Sequence, residues 1–420
     1  MKLSLNLKTA LCTFFIYVSF YSPIIAQSSK IDSSAMVTLR LDPGSARGAA
    51  VSQVFEEVSF IPLETTKESL FGSISQLEVT EKCFIVYDYD TKSILIFSKA
   101  GKFKAKINSS NIKDEKGKEA QSFWGFSLKQ ENHEDFIQIN SGKYSIYFDL
   151  NGKLAKKVQS KDDKPDNGLK FADKTQIVEG YLDKKDKDSI YYQVGLVKDS
   201  NEVAKYLPYK ADRFKNDQFY SGGNPFYDSG IADELFFLNY YEYNIFKVTP
   251  KKMLLAYRII FPAINSLPAD FAANPVYKNK RQEYFEKYPK AFYAISNTYK
   301  IGDQLFLKMH NWDHSKENKN ALIYNLKTTA LISVNGIEPD SSSFFLPVTD
   351  LGFYYDFSNR GFLKYDKKYF YTSYSSLAMF AFKEQSADKK PKYNALMSNY
   401  FKTENRKSNP VIIQLKPKQD

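Results

Sequence analysis

A unit of four short strands recurs along this 420-residue chain, and nothing else in the sequence limits the possible folds as much. Aligning Gly101 in "IFSKAGKFKAKI" with Gly152 in "YFDLNGKLAKKV", 51 residues later, places Phe97 on Phe148, Lys102 on Lys153, Phe103 on Leu154, Lys106 on Lys157 and Ile107 on Val158. Each hairpin is preceded by a second pair of apolar runs, "SISQLEVT" with "CFIVYDY" and "FWGFSLKQ" with "DFIQINS". A third copy occupies 234–259, with Pro250-Lys251 at its turn, and a fourth 303–334; weaker copies fall at 175–208 and 344–357. One such unit cannot bury both faces of its sheet, so it must stack on its neighbours, and repetition at roughly 50 residues marks a β-propeller. An open β-solenoid would have a shorter period and more regular turns.

Five units are complete or nearly so, and one lacks its later strands. Two alternating segments have no partner nearby in sequence: "FEEVSFIPLET" at 55–65 and "NPVIIQLKPK" at 409–418. Pairing them completes a last blade and leaves no open edge in the ring. The expected fold is all-β: a six-bladed β-propeller of four-stranded antiparallel blades, closed by N- and C-terminal strands, with short helical insertions. The 65 Phe and Tyr residues agree, because aromatic side chains fit a half-buried pleated surface. The domain is expected to span 51–420 after a tail at 27–50.

Two segments interrupt the pattern. Residues 262–294 predict a helix from about Val276 to Tyr288, with Tyr277, Arg281, Tyr284 and Tyr288 near one stripe. Residues 363–405 contain two shorter helical stretches, "SSLAMFAFKE" and "YNALMSNYFKTEN". Long insertions in a compact fold serve as functional loops or caps, or simply pack their aromatics onto the scaffold.

The chain opens with Lys2 and Lys8, an apolar stretch from Leu11 to Ile25, and Ala26 before Gln27, the pattern of a secretory signal occupying 1–26. The stretch is short of the about 20 residues a membrane span needs. Mass spectrometry of the exported protein should find Gln27 at or near its N-terminus; an intact Met1, or a lipid on Cys12, would refute this. No later apolar run is long enough to span a bilayer. Cleavage leaves Cys83 as the single cysteine, within a strand-like run, so no internal disulfide can form and stability must come from a large core. Loss of Lys2 and Lys8 lowers the formal charge from +11 to +9. The lysines recur singly beside Asp and Glu, as in "LDKKDKDS", which reads as a solvated surface and not as a nucleic-acid or lipid patch.

"VSFIPLETTKESLFGSISQLEV" followed by "FIVYDYDTKSILIFSKAGKFKAKI" resembles the opening of the secreted six-bladed β-propellers of TolB-like fold common in Bacteroidetes, and "NPVIIQLKPK" resembles their final strand. The resemblance covers essentially the whole chain after residue 26, and its most specific motifs, Ile61-Pro62-Leu63-Glu64-Thr65 and Asn409-Pro410-Val411, are structural. The chain departs from it after the first blade, where "NSSNIKDEKGKEAQSF" replaces a Gly- and Pro-rich turn. The resemblance implies fold and export, and no reaction; a propeller does not dictate its function.

Residues that carry chemistry are sparse. His310 and His314 in "MHNWDH" have a spacing that on a helix would face one metal, but the context is a strand entering a polar loop, and His133 lies in another blade. On a continued strand His310, Trp312 and His314 would share a face, giving an aromatic and hydrogen-bonding rim. The acidic run "KDDKPDNG" lacks calcium-loop spacing, since Pro165 stands where an oxygen ligand is needed. No Gly-x-Ser-x-Gly elbow and no phosphate loop occur, and a pair of glycosidase carboxylates cannot be read from spacing alone. No cofactor or metal is expected. Three readings follow. The foremost is a monomeric, non-enzymatic binding protein of the periplasm or cell surface, holding a glycan, peptide or protein through Trp312, His310, His314, Arg281 and Tyr284. The second is a lactonase, lyase or other hydrolase acting at the mouth of the axial tunnel, and the third an envelope structural or assembly factor.

Overall fold

The computed structural model describes residues 28–109, 112, 123–141, 144–159, 169–182, 190–210, 217, 225–350, 356, 358–359 and 361–419. The stretch 1–26 read as an export signal, the run 161–168 and most of 108–123 lie outside these residues. The fold is the six-bladed β-propeller expected from the repeat. Its chain divides into two compact units.

The larger unit begins with three strands that do not pair with each other: β1 (Val37–Arg40), β2 (Arg47–Ala50) and β3 (Phe55–Pro62). The first sheet follows in chain order, β4 (Gln76–Val79), β5 (Cys83–Asp88), β6 (Ser93–Ser98) and β7 (Phe103–Asn108), and the second is β8 (Ser127–Glu131), β9 (Glu134–Ser141), β10 (Tyr144–Phe148) and β11 (Leu154–Gln159). Burial explains the sequence pattern of each blade. All six residues of β5 are buried, because a middle strand packs against sheets on both sides, whereas β11, at the rim, is largely exposed and carries lysines. Cys83 is a buried free thiol in β5, as expected.

The smaller unit is described separately. It contains β12 (Gln176–Leu182), β13 (Ile190–Lys198) and β14 (Asn201–Lys210), an antiparallel sheet with Val194 and Leu196 fully buried. Ser29 donates its backbone N–H to the Lys205 carbonyl at 2.9 Å, and the buried Lys205 ammonium lies 4.9 Å from the Tyr192 ring and 3.5 Å from Glu202.

The next sheet is β15 (Phe226–Asp228), β16 (Leu235–Leu238), β17 (Asn244–Val248) and β18 (Met253–Ile260), and β1 adds to its outer edge in parallel with β18. Then come β19 (Ala294–Ile301), β20 (Gln304–His310), β21 (Ala321–Asn325) and β22 (Leu331–Glu338), with β2 parallel to β22. The last sheet contains β23 (Lys364–Tyr365), β24 (Phe370–Tyr374) and β25 (Val411–Pro417), and β3 completes it. The closure expected from the two chain ends is present, with β25 antiparallel to β3 from Val411↔Pro62 to Pro417↔Phe55. Two of the six sheets gain a fifth strand from 37–50, part of the stretch read as a tail. That addition covers edges otherwise open to pairing.

The shared motifs fasten this closure. The Glu64 N–H donates to the Gly101 carbonyl, and its carboxylate accepts from the Phe103 N–H and the Lys102 ammonium, so "IPLET" clamps the first hairpin. Gly101 is required there: its φ is +79°, and an added Cβ would stand 2.2 Å from the Pro62 carbonyl oxygen. Asn409 is fully buried and donates to the carbonyls of Glu64 and Ser69 while accepting from the Phe71 N–H.

Two local expectations need correction. The helix expected from Val276 to Tyr288 is a 3-10 turn, Pro275–Tyr277, followed by a short α-helix, Arg281–Lys287. Asn279 between them takes φ +60°, which no helix propagates. Of the weak strand copy at 344–357, residues 351–355 and 357 lie outside the described residues; Phe344 and Phe345 at its start are both left-handed, and the first two strands of the last sheet lie at 364–374, inside the stretch read as an insertion. The two helices of that insertion are present, Ser376–Gln385 and Ala395–Thr403, capped by Ser375 and Asn394.

In each antiparallel blade the links from second to third strand and from fourth strand to the next blade emerge at one end. In the larger unit the loops 239–243, 261–293, 311–320, 339–363 and 375–410 all leave from that end.

Candidate functional site at the irregular inner strand

β19 is the first strand of its sheet, and its pairing with β20 slips between Ser296 and Tyr299. Asn297 sits at the slip with φ +44°. A left-handed non-glycine residue in a bulge bends the strand and re-aims its side chains, a device found near functional sites. Here the result is a polar cluster. The Ser296 hydroxyl lies 2.6 Å from His310 Nε2 and donates to Asn297 Oδ1 at 3.0 Å. Ser296 and the Asn297 backbone hydrogen-bond the Tyr227 phenol, and the Asn297 side chain bonds Tyr299. Asn297 also donates to the Phe362 carbonyl at 3.4 Å.

Burial controls the charge of this cluster. It holds the Lys308 ammonium down at about 8, partly offset by Asp350, and Lys308 donates to Asn320 at 3.0 Å. Burial, and then the Lys308 charge, holds the His310 imidazole down at about 4. Burial raises the Tyr227 and Tyr299 phenols. Shifted titrations gathered in one place mark candidate sites. At neutral pH the ring is uncharged, and the cluster offers hydroxyl, amide and imidazole groups to a polar ligand.

A pH dependence follows. Unfolded histidine titrates near 6.5, so between pH 6.5 and about 4 the unfolded chain binds a proton at His310 that the folded chain does not. The stability this group confers is complete above pH 6.5 and drains away as pH falls toward 4, a loss on the order of 3 kcal/mol at 1.36 kcal/mol per unit. Chemical denaturation at pH 7.5 and 4.5 should show a smaller difference for His310→Asn than for the unsubstituted protein; equal differences would refute it.

The inserted segment lies beside this cluster. The Tyr293 N–H donates to the His310 carbonyl at 2.8 Å, and the Trp312 N–H to the Pro289 carbonyl at 2.9 Å. The Tyr293 ring is 6.0 Å from His310 and stacks on Tyr240 at 6.4 Å. Phe271 forms the centre of the insertion, with Tyr277 at 4.7 Å, Tyr284 at 4.9 Å and Tyr241 at 5.2 Å. Tyr288 remains 45% exposed at its surface.

Four of the five residues named from the sequence gather around this insertion, in unequal roles. Arg281 is corrected as a direct contact, being only 2% exposed. Its Nε donates to Asp217 at 2.8 Å, its Nη atoms to the carbonyls of Phe271 and Ala272, and its guanidinium lies 4.6 Å from the Tyr241 ring. The desolvated charge is spent on holding the insertion together. Tyr284 belongs to the ring cluster, Trp312 packs 5.9 Å from Phe285, and His310 joins the polar cluster. His314 is exposed in the loop. The shared strand face of His310, Trp312 and His314 does not exist, because β20 ends at His310 and reciprocal Asn311–Asn318 hydrogen bonds fold the loop. Among the described residues no group of three or more His, Cys, Asp or Glu is placed to hold a metal. Tyr227, Ser296, Asn297 and Lys308 were not anticipated, although three successive polar residues in "AISNTY" interrupt a strand in the way a bulge does.

The family model described as "Domain of unknown function (DUF4934)" matches residues 39–416. Among solved structures, a Bacteroides fragilis protein named as a candidate exported protein aligns with a TM-score of 0.60 at 14% identity, over 91% of this chain and 100% of that one. A member of the DUF4221 family from Bacteroides vulgatus aligns with a TM-score of 0.40 at 11% identity, over 87% of this chain and 98% of that one. No curated protein matches. The first of these structures has the same fold.

Proposed function

Because this chain belongs to the DUF4934 family of domains of unknown function, whose description assigns no activity, we propose that it is an exported binding protein, acting in the periplasm or at the cell surface without catalysis. It holds a glycan, peptide or protein partner on the end of the blades where the long loops emerge. One observation carries this reading: the tyrosine-rich insertion and the β19 bulge place aromatic surface, Tyr240, Tyr288, Tyr293 and Trp312, next to uncharged hydrogen-bonding groups, Ser296, Asn297 and His310. Aromatic faces with a few fixed polar groups are how concave sites bind and orient ligands. The name of the Bacteroides fragilis protein of the same fold, and the opening of the chain, support export. Among the described residues no helix is long and apolar enough to cross a membrane.

The test is a glycan and peptide array with the unsubstituted protein and with Trp312→Ala combined with Tyr288→Ala. Loss of a reproducible ligand with an unchanged melting temperature supports the reading, and retention refutes it. The hydrolytic alternative is favoured by the Ser296–His310 contact at 2.6 Å. An imidazole held near 4 is a weak base at neutral pH, however, so binding is the stronger reading. Turnover of a lactone or polysaccharide that Ser296→Ala abolishes would reverse that order.

A further inference from the structure

Away from the insertion, the most exposed large aromatic side chain among the described residues is Trp124, at 71%. It lies on the link from β7 to β8, beside Tyr89, which is 46% exposed on the turn from β5 to β6. Both segments leave their blades at the same end as the long loops. The two rings are 5.5 Å apart and inclined by 39°. Water-facing Trp and Tyr side chains held side by side cover no core and leave apolar faces in solvent, which is the cost that ligand binding removes.

The third member is Lys92. Its φ is +48°, a conformation uncommon for lysine, in a turn fixed by the Thr91 hydroxyl donating to Asp88 at 2.7 Å. This geometry brings the ammonium to 3.0 Å from the Tyr89 ring centroid and 4.4 Å from that of Trp124. The nitrogen is buried and, among the described residues, has no hydrogen-bond acceptor. Ring faces compensate part of its lost hydration, but they accept none of its three N–H donors in the way an oxygen does. A buried cation without an acceptor is costly, and a ligand that supplies an anionic oxygen at the rim of the rings relieves that cost.

We propose that Trp124, Tyr89 and Lys92 form a subsite for an anionic saccharide, with a pyranose ring stacked on the aromatic pair and its carboxylate or sulfate bound by the Lys92 ammonium. A sugar ring presents a flat face of C–H bonds to the indole, and the acidic substituent at its edge reaches a group near the ring plane, so one residue of an acidic glycan satisfies both features. A neutral sugar would satisfy only the stack. The subsite is separate from the insertion and does not depend on the reading given for it.

Calorimetric titration of the protein with oligogalacturonate, a sulfated oligosaccharide and maltohexaose tests this. Binding of at least one acidic probe in preference to maltohexaose is expected, weakening with added salt. Trp124→Ala should weaken it by about tenfold or more, and Lys92→Gln should remove most of the preference for the acidic probe. Neither side chain belongs to a hydrophobic core cluster, so neither variant should melt below the unsubstituted protein, and Lys92→Gln, which removes the unpaired buried cation, should melt at the same temperature or above it. Leu154→Ser, at an exposed position of β11 outside both surfaces, should leave this affinity unchanged. The proposal is overturned if no acidic probe binds, if Trp124→Ala binds as well as the unsubstituted protein, if maltohexaose competes equally, or if a Glu-rich peptide is preferred to every saccharide.

Discussion

Removal of residues 408–420 is expected to leave no folded monomer. These residues include β25, which is an inner strand of its sheet, hydrogen-bonded to β24 on one side and β3 on the other. Val411, Ile412, Ile413 and Leu415 are all fully buried, and at about 1.5–3 kcal/mol each their burial is comparable to the roughly 5–15 kcal/mol net stability of a whole domain. The truncation also strands β3 and removes Asn409, whose side chain holds the 64–71 segment. Circular dichroism and light scattering should report loss of the cooperative transition and aggregation through exposed strand edges. A truncated protein that stays monomeric and melts where the full chain does would show that β25 does not close the ring.

Asp217→Ala should give the second large loss. The Asp217 carboxylate and the Arg281 guanidinium are both almost inaccessible, at 1% and 3%. Removing the acid leaves a buried guanidinium without its carboxylate, and breaking a buried pair from one side costs about 3–5 kcal/mol. A substantial drop in melting temperature is expected, with faster amide exchange concentrated in 262–294. Asp217→Leu combined with Arg281→Met removes both charges and should recover much of the loss, since an apolar pair of similar size needs no compensation. A single substitution that leaves stability and exchange unaltered would refute the anchoring role.

The blade repeat was legible because it is a matter of period. Strand alternation, tight turns and glycines such as Gly101 and Gly152 are local requirements, and each blade restates them. Closure was legible for a related reason: 55–65 and 409–418 have strand character and no neighbour to satisfy it. The parallel addition of β1 and β2 was not, since a parallel edge pairing leaves no turn and no spacing in the sequence. The site was less accessible still. His310 could be singled out as a rare residue, but its partner Ser296 is one of many serines and becomes notable only once the bulge at Asn297 turns it inward. Arg281 stood out on a tyrosine stripe, and its sequence neighbourhood held nothing to show that its partner, Asp217, lay 64 residues away.

The three strands at the beginning of the domain also impose an order in time. β1 waits for β18, β2 for β22 and β3 for β25, so each early strand is made long before its partner exists. Val411 follows Pro62 by 349 positions, which at ordinary synthesis rates means about 20 to 70 s during which β3 has no partner. Blades made in between can form from neighbouring strands as they appear, while the ring can lock only when the final few residues arrive. A nascent chain therefore spends nearly all of its synthesis as an open arc with adhesive ends, and its survival in that interval depends on whatever keeps those ends apart from other chains.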